Sequence, residues 1–230
     1  SPQPANFSIE TGNYRINLKG DFQFGIDYRV TVKDGIIGHD TTQLGQVFSG
    51  ITQFTPNPGF ISFPAFTTTQ NAAGHRRFDV KTGNLTGLRT RVKSLSGDEL
   101  ILALREYDDH YEGWGEKQSL AFSTVPGTTV HDQFKGSTSG IDESETLSLN
   151  WSDLTGGATT GAFYLCSEGK SATREKLEVG AQSLIQLTDI GLVWKQSPEG
   201  TTVYSFSLQS GEPLPGTLIR LVDENAAPLV

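Results

Sequence analysis

Apolar and polar residues alternate along most of this chain with a period of two, the spacing that sends successive side chains to opposite faces of a β-strand. Tyr14–Leu18, Tyr28–Val32 and Val47–Phe54 carry the pattern first, with Asp34-Gly35 and Gly38 marking turns between them. Phe60–Phe63, Arg77–Val80, Arg89–Ser94 and Glu99–Arg105 repeat it, which predicts strands with one face on a core. Leu147–Leu149, Trp151–Leu154 and Gly161–Cys166 return to it after a gap. Gly191–Trp194, Thr202–Leu208 and Thr217–Val222 form a last set, separated by the turn formers Ser197-Pro198-Glu199-Gly200 and Ser210–Gly216.

These runs predict an all-β protein of tandem β-sandwich domains, the terminal ones incomplete, and the turn chemistry places their seams. Pro56-Asn57-Pro58-Gly59 fixes an extended linker that cannot continue a ladder, which divides a first unit, 1–57, from a second, 58–184. The second carries an irregular insertion over 106–145, where Gly113, Gly115, Pro126, Gly127, Gly136 and Gly140 interrupt any longer pattern. Leu102–Glu106, leading into it, extends into a short helix, and Ser119–Phe122 within it forms a strand. Lys170–Glu178 is a charged link to the third unit, 185–230, whose strands lack a closing sheet and read as the opening of a further domain.

Composition agrees with strands and turns: Gly occurs 26 times and Met is absent. A formal charge of -8 spread over many segments excludes the clustered basic surface of a nucleic-acid groove. The single cysteine, Cys166, excludes an internal disulfide framework and an all-cysteine zinc site, yet leaves the compartment open. No apolar run approaches the roughly 20 residues that span a bilayer, and no signal segment opens the chain, so no membrane contact is expected of it.

Candidate chemistry is sparse. Glu106–Trp114 packs carboxylates, an imidazole and aromatics into one stretch, and three readings stay open. It binds Ca²⁺, supplies paired acids for glycoside hydrolysis, or forms an acidic aromatic loop at a domain edge. The spacing lacks the register of an EF-hand loop, and Tyr107, Asp108, Asp109, Tyr111 and Trp114 are best placed as a surface for another domain. His39, His75, His110 and His131 are each solitary, with no metal-ligand spacing. Cys166 ends the apolar run Ala162–Leu165 and reads as a small core hydrophobe. Trp151 and Trp194 sit in strand patterns and are expected in cores, and Trp114 between two glycines is expected outside. Asn6, Asn84 and Asn150 fit the glycosylation pattern at a frequency near background. No nucleophile elbow or phosphate loop is present. The chain is therefore expected to be no enzyme and to hold no cofactor or metal.

Four stretches carry a family resemblance. Phe22–Ile36 resembles a strand and loop of the immunoglobulin-like first domain of the bacterial α2-macroglobulin family, and Thr188–Leu192 with Ser210–Gly216, Phe78–Asn84 and Leu147–Leu165 resemble the strands and loops of its macroglobulin-like domains, which implies tandem immunoglobulin-like and macroglobulin-like β-sandwiches. The resemblance implies a scaffold fragment of a periplasmic protease trap, anchored through a lipidated segment upstream. Its implied partners are neighbouring domains of the parent chain and, through the parent, target proteases. The family's internal thioester needs a cysteine and a glutamine in one motif. Cys166-Ser167-Glu168-Gly169 has glycine where the glutamine belongs, so the resemblance implies that thioester and bait lie elsewhere. The alternative is a surface-exposed tandem sandwich that binds a carbohydrate or a protein.

Overall fold

The computed structural model describes residues 2–12, 15–38, 40–64, 69–112 and 120–229, with the backbone alone for 107–112. The chain divides into two compact units, Ser1–Asn57 and Pro58–Val230. In the first, β1 (Ala5–Gly12) pairs antiparallel with β2 (Arg15–Asp21), and β3 (Asp27–Val32) with β4 (Phe48–Gln53). Three aromatics hold the second pair together: Phe22 stacks on Phe54 at 4.3 Å, and Tyr28 meets both edge-on.

The second unit is built on a sandwich of two sheets. A three-stranded sheet has the order β10 (Ser144–Asn150), β7 (Arg77–Gly83), β5 (Phe60–Ser62). A five-stranded sheet has the order β6 (Thr69–Asn71), β12 (Glu178–Thr188), β11 (Gly161–Ser171), β8 (Leu85–Leu95), β9 (Thr128–Gly136). Between them lies the main core of Phe78, Val80, Leu88, Val92, Phe163, Leu165, Ile185 and Leu187, sealed by Trp151 and Leu154 on the short helix α2 (Trp151–Leu154). The strict alternation of β7, with Phe78 and Val80 buried and Asp79 and Lys81 exposed, is what a strand with one wet face requires.

The chain crosses from one sheet to the other at Asn84, whose φ of 53° is left-handed. Asparagine tolerates that region because its short side chain bonds locally. Here Asn84 Nδ2 donates to Asp142 Oδ1 at 2.7 Å, and the Asp142 amide donates back to Asn84 Oδ1 at 2.7 Å. The Ala172 amide donates to the Asn84 carbonyl at 2.7 Å. Gly59 runs so close to this corner that a Cβ there would lie 2.7 Å from the Asn84 carbonyl oxygen and 2.9 Å from Ser171 Cα.

Several sequence expectations are corrected. Glu99–Arg105 is not a strand but part of the helix α1 (Gly97–Glu112), which also extends past the short helix expected at Leu102–Glu106. Its start is a capping box: Glu99 Oε2 accepts from the Ser96 amide at 2.7 Å, and Ser96 Oγ from the Glu99 amide at 3.4 Å. Of the strand expected at Ser119–Phe122, Ser119 lies outside the described residues and Leu120–Phe122 joins no ladder and leads into a turn, whereas Thr128–Gly136, inside the expected irregular insertion, is a full strand. Lys170–Glu178 does not link two domains. It closes the β11–β12 hairpin, in which Lys170 pairs with Glu178, and β12 runs on through 184, where the sequence places a domain seam, to Thr188.

From Ile190 the chain forms one hairpin, β13 (Ile190–Ser197) with β14 (Gly200–Ser207), and Thr217–Val222 is not a strand, because it has no ladder to join beyond a bridge from Val222 to Pro228. Trp194, expected in a core, is 74% exposed, since this two-stranded ribbon has no second layer to cover it. Trp151 is buried as expected, on a helix and not a strand.

Candidate functional site

The outer face of the five-stranded sheet, away from the main core, carries a ladder of charged side chains. Direct cross-strand partners share a face, so the ladder itself defines the site. Arg89, Arg91 and Lys93 of β8 stand opposite Glu168, Cys166 and Tyr164 of β11. Cys166 and Tyr164 in turn face Gln182 and Leu184 of β12, and Arg91 and Arg89 face Asp132 and Phe134 of β9. Three cations on alternate positions of one strand thus meet two carboxylates.

At one end this face is covered. Leu95, Ala103, Phe122, Val125, Tyr164, Cys166 and Leu184 form a second core under α1 and the segment 120–125. Phe122 lies over the cations, its ring 4.3 Å from Arg91 Cζ and 4.9 Å from Lys93 Nζ, which is cation–π geometry. The covering segment belongs to no ladder: its Thr124 amide donates to the Ala121 carbonyl at 3.0 Å in a turn, and side chains of the sheet bind its two ends. Gln182 accepts from the Leu120 amide at 3.0 Å and donates to the Leu120 carbonyl at 2.6 Å. Tyr164 Oη donates to the same carbonyl at 3.3 Å, and Lys93 Nζ donates to the Val125 carbonyl.

The electrostatics follow from this cover. Burial lowers the Lys93 ammonium below the ordinary lysine value, and the charge of Arg91 lowers it further. Arg91 pairs with Glu168 at 2.5 Å, with only 18% of its side chain exposed. Its Nε is buried without a partner among the described residues. Cys166 is wholly buried, and burial, followed by the charge of Glu168, pushes its thiol up to about 11. A thiol so far from ionisation is no nucleophile. Cys166 therefore sits in mid-strand as a core hydrophobe, in contact with Glu168 at 3.6 Å and Gln182 at 3.8 Å.

Beyond the cover the same face opens into a groove of about 570 Å³, floored by Gly87, Gly169 and Gly180 and walled by Arg89, Phe134 and Lys170. Its charges are matched within the sheet. Arg89 grips Asp132 through two bonds of 2.7 and 2.8 Å, which holds the Asp132 carboxyl below its usual range, and Lys170 pairs with Glu178 at 3.6 Å. Phe134 leans over Gly87, where a Cβ would lie 2.4 Å from the ring. The groove offers an ionic ligand no uncompensated charge.

Sequence reasoning placed its candidate surface elsewhere. Tyr107, Asp108, Asp109 and Tyr111 fall on the last turns of α1, but their side chains, and all of Trp114, lie outside the described residues. His39 and the side chain of His110 do too. His131 is on β9 with Nδ1 3.0 Å from the Asp153 carbonyl, and His75 is exposed in a turn. Among the described residues no group of histidine, cysteine and carboxylate side chains is arranged to hold a metal. The cation ladder was missed, because its members interact only after strands far apart in sequence pair.

No protein-family model matches the chain, and no curated protein matches it in sequence. Solved structures do match its fold. A crystal structure of native α2-macroglobulin from Escherichia coli spanning domains MG0-NIE-MG1 aligns with 97% of this chain and 70% of its own, at a TM-score of 0.59 and 13% identity. A second, spanning NIE-MG1, aligns with 76% of this chain and 81% of its own, at 0.55 and 14%. The cryo-EM reconstruction of the native E. coli protein aligns over 99% of this chain but 14% of its own, at 0.56 and 12%. The chain thus has the all-β fold of these macroglobulin domains.

Proposed function

We propose that this chain is a non-catalytic scaffold module of a bacterial α2-macroglobulin-like protease trap, a far longer protein of the periplasm. The observation that carries the reading is the match of nearly the whole chain to consecutive domains of one such protein, in which it spans 14% of the length. In this reading Ser1–Asn57 corresponds to MG0 material. Pro58–Val230 corresponds to NIE-MG1, the stretch whose structure matches 76% of the chain, with the β13–β14 hairpin as the opening of MG1.

The chemistry of the chain supports a scaffold. Cys166 is buried and protonated, and Gly169 stands where a thioester motif would carry its glutamine. The charged groups of the groove compensate one another. Bait and thioester belong to other parts of the parent, which is lipid-anchored in this reading. The test uses the 230-residue chain alone: mixed with trypsin, it leaves hydrolysis of both a small chromogenic peptide and a large protein unchanged. Stoichiometric inhibition of either activity by this chain overturns the assignment.

A further inference from the structure

The uncovered end of the outer sheet face owes its groove to two missing side chains. Gly87 of β8 and Gly180 of β12 take outward positions there, since the residue beside each, Leu88 and Val179, packs on the main core. The depression they leave runs across four neighbouring strands, β9, β8, β11 and β12, and so spans about 14 Å. Its volume of about 570 Å³ suits a small organic ligand. Phe134 rims it from the edge strand β9 and remains 69% exposed. Covering the gap above Gly87 accounts for one side of that ring, but not for so large an apolar surface left in water.

The charged walls are neutral in sum and still have hydrogen-bonding capacity to spare. Arg89 spends Nε and Nη2 on Asp132, which leaves Nη1 without an acceptor among the described residues. Glu168 gives Oε2 to Arg91, while Oε1 meets only the Cys166 thiol, at 3.6 Å. Lys170 Nζ stands 3.6 Å from Glu178, too far for a firm hydrogen bond, so its donors stay available. A charged ligand would have to break one of these pairs. A hydroxyl both donates and accepts, and can use donor and acceptor here without disturbing either charge.

We propose that this groove binds a neutral oligosaccharide built of pyranose rings with equatorial hydroxyls. Such a ring has flat faces of C–H groups and a polar rim, the two chemistries the groove sets side by side. One ring stacks on Phe134 with its hydroxyls on Arg89 and Glu168, and the next lies over Gly180 beside Lys170. The span across four strands exceeds a single ring, so the ligand is a chain of two or more. All of these residues lie within the second unit, and the site is additional to the scaffold role: its failure leaves that reading standing.

Cellotetraose, an uncharged chain of such rings, is the probe. Titrated into the 230-residue chain and followed by saturation-transfer NMR of the sugar, it is expected to saturate with a dissociation constant of about 1 mM or tighter. Glucose alone is expected to bind about tenfold or more weakly, and added salt is expected to leave the affinity for cellotetraose unchanged. Phe134→Ala removes the exposed ring and is expected to weaken binding about tenfold or more with native circular dichroism. Gly180→Leu raises a side chain from the floor, keeps Phe134, and is expected to abolish binding. No saturable binding to the parent overturns the proposal. So does parent-like affinity in either folded variant, equal affinity for glucose, or a loss of affinity with salt.

Discussion

Replacing Asn84 tests the account of the corner where the chain passes between sheets, because its consequences separate into two parts. Asn84 is 4% exposed and left-handed at φ 53°, and it is bound reciprocally to Asp142. Asn84→Ala forces a Cβ-bearing residue without local bonding into that region, which costs about 1 kcal/mol. It also removes both side-chain bonds to Asp142, which costs roughly 1–3 kcal/mol more. The expected loss is about 2–4 kcal/mol, or roughly 5–15 °C in melting temperature for a unit of this size. Asn84→Gly keeps the backbone conformation at little cost and loses the side-chain bonds alone, so it must lie between the parent and the alanine variant. Urea unfolding followed by tryptophan fluorescence measures both. An alanine variant within about 0.5 kcal/mol of the parent, or a glycine variant no more stable than alanine, refutes the reasoning.

Other outcomes follow from the same geometry. Gly59→Ala pushes a methyl group against the Asn84 carbonyl and Ser171 Cα, backbone atoms that cannot rotate away, and is expected to lower the urea midpoint by the equivalent of about 1–3 kcal/mol. Phe78→Ala empties the centre of the main core, where Phe63 and Trp151 meet the ring edge-on, and is expected to cost about 3–5 kcal/mol by the same measurement. Cys166 rises from an ordinary 9.0 to about 11 in the folded chain, so its contribution is fully present below pH 9 and is lost as pH climbs toward 11. Stability of the parent falls relative to Cys166→Ala across that window, and parallel curves contradict the burial argument. Glu99 is held below its ordinary 4.5 by the Ser96 amide, so the cap stabilises α1 above that value and is lost as pH falls beneath it. Glu99→Gln is expected to remove that acid sensitivity from the helical circular-dichroism signal.

Legibility varied with how many faces of a strand are buried. β7 has one dry face and one wet, and its period-two pattern could be read directly. The end of β12 buries Leu184, Ile185 and Leu187 on both sides of the sheet, under two different cores, so the alternation vanishes where the strand is most central. β9, at the sheet edge, keeps few apolar residues and looked like loop. Glu99–Arg105 holds a run of apolar residues, Leu100–Leu104, that suits a strand or a helix, but Ser96 and Glu99 form a capping box, and that local signal decides for the helix. Trp194 shows the converse, a core-type residue on a hairpin with no second layer. The site was not legible at all, because Arg91, Phe122, Cys166 and Gln182 come together through strand register that no local pattern encodes.

The most direct test of the scaffold reading is made on the full-length protein that carries this chain. It is incubated with trypsin, and residual activity is measured on a small chromogenic peptide and on a large protein substrate. A trap encloses its protease sterically, so the account predicts that hydrolysis of the small substrate survives while hydrolysis of the large one falls. Equal activity on both substrates, with and without the protein, contradicts it.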